Sequence, residues 1–182
     1  MKTTKKGFTL IELIVVIAII GVLAAILVPA MLGWVKKSKI QAANADAKTI
    51  MTNINAGLED MDEEGVTITA KGWQGTLTSA APAAGSWDDV KNYARFYTDT
   101  VDASKYLVFL KDGVAVCAVA KSGKYFGTFP ASLTNKNYNK PADASDPSKG
   151  GLGSEPTLTA AKAHAIALYN KGRDSSNQIS GT

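Results

Sequence analysis

The sequence predicts an α+β fold: one long amino-terminal helix, apolar throughout its first half and amphipathic in its second, packed on a small antiparallel β-sheet. Three observations carry this. From Leu13 to Val35 there are 23 residues without a charge, roughly 35 Å of helix at about 1.5 Å per residue, enough to cross a bilayer core of about 30 Å. From Ile40 the uniform apolarity gives way to a stripe, Ile40, Ala43, Ala47, Ile50, Ile54, Leu58 and Met61, at the three- and four-residue spacing of one helix face. From Lys105 to Phe129, short runs of strand-forming residues alternate with glycine turns.

Ahead of the apolar run stand three basic residues, Lys2, Lys5 and Lys6. Such a pattern fits a secretory signal peptide or an uncleaved anchor. A signal-peptide core is about 7 to 15 residues, and this run is longer and continues helically into soluble sequence. Glu12 is the one charge between Lys6 and Lys36. An ionisable group at membrane depth costs about 2.5 to 3.5 kcal/mol at mid-bilayer and less near an end, which makes it a functional candidate by default.

The junction Lys5-Lys6-Gly7-Phe8-Thr9-Leu10-Ile11-Glu12 resembles the leader junction of type IV prepilins and pseudopilins. The resemblance covers residues 1 to 60 at motif level and the remainder in general layout, and it implies a pilin-like fold. It implies that a membrane prepilin peptidase cuts the Gly7–Phe8 bond and methylates the new amino terminus on Phe8. Residues 1–7 would then be a cleaved leader, 8–35 the transmembrane and filament-core helix, 36–64 its amphipathic half, 65–172 a globular head and 173–182 a disordered tail. The membrane segment would be kept in the mature chain, unlike that of a secretory signal.

Cleavage at Gly7 would place a cationic amine at the positive end of a helix, which the macrodipole disfavours. Glu12 supplies an anion. In the family this carboxylate is thought to pair with the terminal amine of a neighbouring subunit, so that two charges costly in lipid neutralise each other; pairing with Phe8 four residues away in the same chain is also open. Gly21 and Pro29 weaken the helix within the span. Both are tolerated in transmembrane helices as simple kinks, whereas in assembled filaments of the family the corresponding stretch often loses helicity. Lys36, Lys37 and Lys39 beyond the span equal the three leader lysines in number, so the positive-inside count is a tie. The motif implies a leader inside and a head outside, with Trp34 as an interfacial anchor.

Nothing stops the helix before Gly57 or Gly65, so one helix from Phe8 to Met61 is expected. The acidic cluster Glu59, Asp60, Asp62, Glu63 and Glu64 opposes the dipole and favours fraying at that end. The 117 residues after Gly65 suffice for one small domain. Val66 to Thr69 reads as a strand, Ala80 to Gly85 as a loop, and Ser86-Trp87-Asp88-Asp89 as a capping box opening a short helix that ends near Tyr97. Residues 105–129 read as a three-stranded meander whose first turn is Asp112-Gly113. Apolar residues on both faces of the middle strand require the long helix to cover at least one of them. From Pro130 to Ser154 the composition is that of a long surface loop, and a helix from Leu158 to Lys171 closes at Gly172.

The formal charge of +4 falls to +1 without the leader, 17 basic residues against 16 acidic, so charge lends no support to a nucleic-acid partner. Cys117, the one cysteine, reads as a buried small apolar residue without a neighbouring base. Many pilins of diderm bacteria close a carboxy-terminal loop with a disulfide, and this chain departs from them, which fits pilins of Gram-positive bacteria better. His164 reads as a helix-surface residue. No catalytic motif, metal-ligand set or cofactor loop stands out, so no enzyme is expected.

The resemblance leaves three classes of function: a type IV pilus subunit for adhesion, motility or DNA uptake; a pseudopilin of a type II secretion-like or competence machine; and a membrane-anchored binding module that never polymerises. It implies as partners the prepilin peptidase and methylase, the assembly platform and its ATPase machinery, further copies in a homopolymer or mixed filament, and membrane lipid before assembly. The expected location is the cytoplasmic membrane, then the surface fibre. A surface or polysaccharide target would be met through exposed aromatics, for which Trp73 and Trp87 are the candidates; core packing is the commoner fate of tryptophan.

Overall fold

The computed structural model of the chain describes residues 7–77, 87–97, 105–130 and 132–180. It divides into two units, residues 1–36 and 37–182. Helix α1 is continuous from Leu10 to Glu63 and contains Pro29. In the first unit its apolar side chains are exposed, among them Ile17, Leu23 and Leu32. The helix is long and apolar enough to cross a membrane. Most of residues 1–7, the Ala80 to Gly85 loop and Ser86 lie outside the described residues.

In the second unit every member of the apolar stripe, from Ile40 to Met61, is buried. Burying an Ile or Leu side chain contributes about 1.5 to 3 kcal/mol, so this stripe anchors α1 to the sheet. The helix ends in a glycine motif: Gly65 has φ 72°, and Val66 N–H donates to Met61 O at 2.8 Å, which satisfies a terminal carbonyl. Gly57 does not stop the helix. A Cβ there would lie 2.7 Å from the Ala94 backbone nitrogen, so this glycine lets α2 (Trp87–Arg95) cross α1 closely.

The sheet has four strands in the order β1 (Gly72–Gly75), β2 (Lys105–Lys111), β3 (Val114–Ser122) and β4 (Tyr125–Phe129), all antiparallel. The turn between β2 and β3 has positive φ at both Asp112 (51°) and Gly113 (78°), the conformation that two-residue hairpins favour. A bulge follows, since Phe109 pairs with Cys117 while Leu110 pairs with Ala115, leaving Val116 as the extra residue.

Both faces of the sheet are covered, one more than the sequence required. Val108, Leu110, Ala118 and Ala120 pack with α1 and α2. Phe109, Cys117 and Val119 pack with Leu133, Tyr138, Leu152 and helix α3 (Leu158–Asn170). Thr157 caps α3, accepting from Ala160 N–H at 3.1 Å. Gly172, with φ 75°, follows its end.

Four expectations need correction. The strand beside β2 is Gly72–Gly75 rather than Val66 to Thr69, because the backbone of β1 pairs with Leu107 to Leu110 while Val66 and Ile68 pack sideways against the core. The 130–154 segment is irregular yet is not merely a surface loop, since Leu133, Tyr138 and Leu152 are buried. The tail is ordered through residue 180: Ser175–Asn177 form a 3-10 turn, and Asn170 brackets the buried Ile179 by donating to its carbonyl at 2.8 Å and accepting from its N–H at 2.9 Å. The acidic end of α1 is held, not frayed, because Tyr97 donates to Asp60 at 2.6 Å and Tyr93 donates to Glu64. Those carboxylate bonds raise both phenol pKa values.

The 141–153 segment is tied to α3 by Lys171, whose ammonium reaches Asp146 at 2.8 Å and the Ser148 hydroxyl at 3.2 Å. Lys171, then Ser148, hold the Asp146 carboxyl well below its ordinary pKa. A depressed carboxyl stabilises the fold above its unfolded pKa, and that contribution is lost as pH falls toward the folded value. Asp146→Asn should therefore lower Tm slightly at pH 7, and the gap from wild type should close as pH drops below the ordinary 3.8. Thermal melts of both proteins across that range test this; a gap unchanged at low pH would exclude the ion pair as its cause.

Candidate functional site: the amino-terminal junction

The start of α1 is a reciprocal cap. Thr9 donates to Glu12 Oε2 twice, from its backbone N–H at 2.8 Å and from its hydroxyl at 2.7 Å. Glu12 N–H returns a bond to Thr9 Oγ1 at 3.4 Å. Sequence reasoning missed this Thr-x-x-Glu box, although the pattern is a recognised helix-start signal. Oε1 makes no hydrogen bond among the described residues and stays open to a cation. Glu12 thus holds its own helix end with one oxygen and offers the other.

Around this carboxylate the surface is apolar: Phe8, Leu10 and Ile11 are 77%, 75% and 64% exposed. Gly7 and Phe8 precede the helix. Gly21 and Pro29 sit in unbroken helix, and a Cβ at Gly21 would meet nothing within 4 Å, so no contact among the described residues demands glycine there. Trp34 is exposed, as an interfacial residue would be.

The other candidates lie in the second unit. Trp87 is 3% exposed and belongs to the core, so its ring is not an exposed platform in this fold. Trp73 is half-buried, edge-on to Phe109 with ring centroids 5.4 Å apart, and Lys162 lies 5.5 Å from its ring centre. Cys117 is buried, which pushes its thiol up to about 12, far from a reactive thiolate. His164 is not a surface residue: it is buried and lines a cavity beneath the 141–153 segment, and burial lowers its pKa. Among the described residues no group of three His, Cys, Asp or Glu could hold a metal.

Residues 2–28 match the prokaryotic N-terminal methylation motif. The chain carries this motif at the start of its long helix and is similar to type IV fimbrial proteins. Among similar proteins, a type IV major fimbrial protein FimA of Dichelobacter nodosus is 38% identical over 76 residues, 42% of this chain and 47% of that protein. A fimbrial protein of the same organism is 36% identical over 108 residues, 58% of this chain and 60% of its own length. The chain spans about half the length of the curated relatives it matches. No solved structure matches it. Both of these relatives are named as fimbrial proteins.

Proposed function

We propose that the chain is the structural subunit of a type IV pilus, cut between Gly7 and Phe8, methylated on Phe8 and polymerised through its amino-terminal helix. The observation that carries this reading is Glu12, the lone acid at the mouth of an exposed apolar helix within a methylation motif. One oxygen is spent on the Thr9 cap and the other is open. In a filament that open oxygen would take the amine of a neighbouring Phe8, and the exposed apolar face of residues 10–35 would pass from lipid to sister helices. Gly21 and Pro29 would let the helix yield there as subunits pack. The machinery this implies is a prepilin peptidase with methylase activity, an assembly platform and its ATPase. The subunit would wait in the cytoplasmic membrane with its head outward and end in a surface fibre for adhesion, motility or DNA uptake.

The relatives' names favour a fibre subunit over a pseudopilin. Mass spectrometry of the chain recovered from sheared surface fibres should give a mature amino terminus at methylated Phe8. An uncut chain, or one cut elsewhere, would sink the processing step; a correctly cut chain found only in membranes, with no fibre by electron microscopy, would favour the pseudopilin or the non-polymerising anchor.

A further inference from the structure

A second built feature lies wholly within the second unit. A cavity of about 520 Å³ opens between α3 and the 141–153 segment, within the roughly 300 to 1,000 Å³ of small-molecule sites. Ala160, Ala163, His164 and Ala167 line it from α3, at spacings that keep all four on one helix face. The opposite segment supplies mostly prolines, alanines and glycines, and Asp143 is the one acid among the described lining residues. That segment is held in place: Gly153 N–H donates to Lys140 O at 2.8 Å and Leu152 N–H to Tyr138 O at 3.0 Å, while Lys171 ties Asp146 to the end of α3.

His164 is the polar group within this apolar enclosure. It is 6% exposed and makes no hydrogen bond among the described residues, yet neither ring nitrogen is sealed from solvent. Its unused hydrogen-bonding capacity therefore opens to the cavity it lines. An imidazole buried without a partner costs free energy, and a ligand in the cavity would offset that cost. Burial lowers its pKa, so at neutral pH the ring is uncharged, with one nitrogen accepting and the other donating. Asp143 is anionic: the Ser145 hydroxyl and the Asp146 and Ser145 N–H groups all donate to its Oδ1 and hold the carboxyl below its ordinary pKa. No lysine or arginine is among the described lining residues, so an anionic ligand would meet a like charge and no counter-charge.

We propose that this cavity binds a small uncharged phenol, its hydroxyl on the His164 imidazole and its ring against the alanine face of α3. A phenol hydroxyl donates to the accepting nitrogen and brings no charge toward Asp143. Alanines keep the wall smooth and leave the volume to the ligand, and a rigid ring loses little conformational entropy on entry. A saturated chain would fill the space but leave the imidazole unpaired. A carboxylate would satisfy the imidazole N–H while facing Asp143. The site does not rest on the processing or assembly of the chain.

The test photolabels the full chain in detergent with three probes at equal free concentration: a trifluoromethyldiazirinyl phenol, the same diazirine on unsubstituted benzene, and the same diazirine on benzoate. Peptide mapping by mass spectrometry places the label. The phenol should label residues 141–167 about fivefold more than the benzene probe, the scale of one net hydrogen bond, and the benzoate should label them least. His164→Phe, which keeps an aromatic ring and removes both nitrogens, should bring phenol labelling down to the benzene level; a preference that survives it would overturn the imidazole as the recognising group. The wild-type comparison needs no folded variant, and equal labelling by phenol and benzene probes would overturn the same assignment. Stronger labelling by the benzoate would overturn the phenol in favour of an anion. Label confined to other parts of the chain would overturn the site itself.

Discussion

Glu12→Ala is expected to remove nearly all fibre from the cell surface while the chain still enters the membrane. The loss combines two effects that separate by a second variant. Alanine deletes the two bonds that Thr9 donates to the carboxylate, leaving only the backbone bond to Thr9 Oγ1, which undoes half of the capping box, and it deletes the charge. Glu12→Gln keeps an acceptor for the Thr9 N–H and hydroxyl, because glutamine serves the same box position, yet carries no charge for an incoming amine. If the carboxylate acts as counter-charge, both variants should lose fibre to a similar degree. An unpaired cation buried on docking costs several kcal/mol, and 1.4 kcal/mol is already tenfold in an equilibrium, so a loss of a hundredfold or more is expected. Quantitative immunoblots of sheared and membrane fractions give the readout. Fibre restored by glutamine would reduce Glu12 to a helix cap and remove the docking role.

Asn44→Ala should be the most damaging single truncation in the head. Asn44 is buried and joins three backbone groups: Thr128 N–H at 3.1 Å, Leu133 N–H at 3.2 Å and Leu133 O at 2.6 Å. Removing it deletes all three bonds, and a buried group left unsatisfied costs about 1 to 3 kcal/mol. A destabilisation of about 3 to 5 kcal/mol is expected, a large share of the 5 to 15 kcal/mol of a typical domain. Denaturant unfolding of the membrane-free fragment from residue 37 onward, or of the full chain in detergent, measures it. Asn55→Ala breaks the equivalent pair of bonds to Ala115 at a half-buried site and serves as the milder comparison; equal small losses in both would mean that water replaces the asparagines. Next to Asn44, Gly127 of β4 faces the Ala43 and Asn44 backbone so closely that any Cβ there would collide. The two residues together fix how the helix meets the sheet.

Neither of these was legible in the sequence, for physical reasons. The buried stripe from Ile40 to Met61 shows itself because seven apolar residues repeat at helical spacing, and the Asp112-Gly113 turn shows itself because few residues accept two successive positive φ angles. Asn44 stands beside that stripe as an ordinary polar residue, and only the fold reveals that Thr128 and Leu133 come to it. Gly127 is a single glycine within a strand, a pattern shared by bulges, bends and close backbone approaches alike. β1, with glycines at both ends and no alternation, exists because β2 offers it an edge. In the amino-terminal junction the motif marks Gly7, Phe8 and Glu12, while the Thr9 cap shows itself only as a Thr-x-x-Glu spacing.

The residues that cover the second face of the sheet come from the chain's carboxy-terminal third, from Leu133 through Ile179. During synthesis β2, β3 and β4 leave the ribosome well before that cover exists, so Phe109, Cys117 and Val119 wait as a bare apolar wall. The head therefore completes folding only after translation has passed Ile179, by which time the amino-terminal span has long been available to the membrane. If the span anchors the chain as proposed, anchoring precedes folding, and a chain stalled before α3 would present a tethered sheet with one apolar face bare.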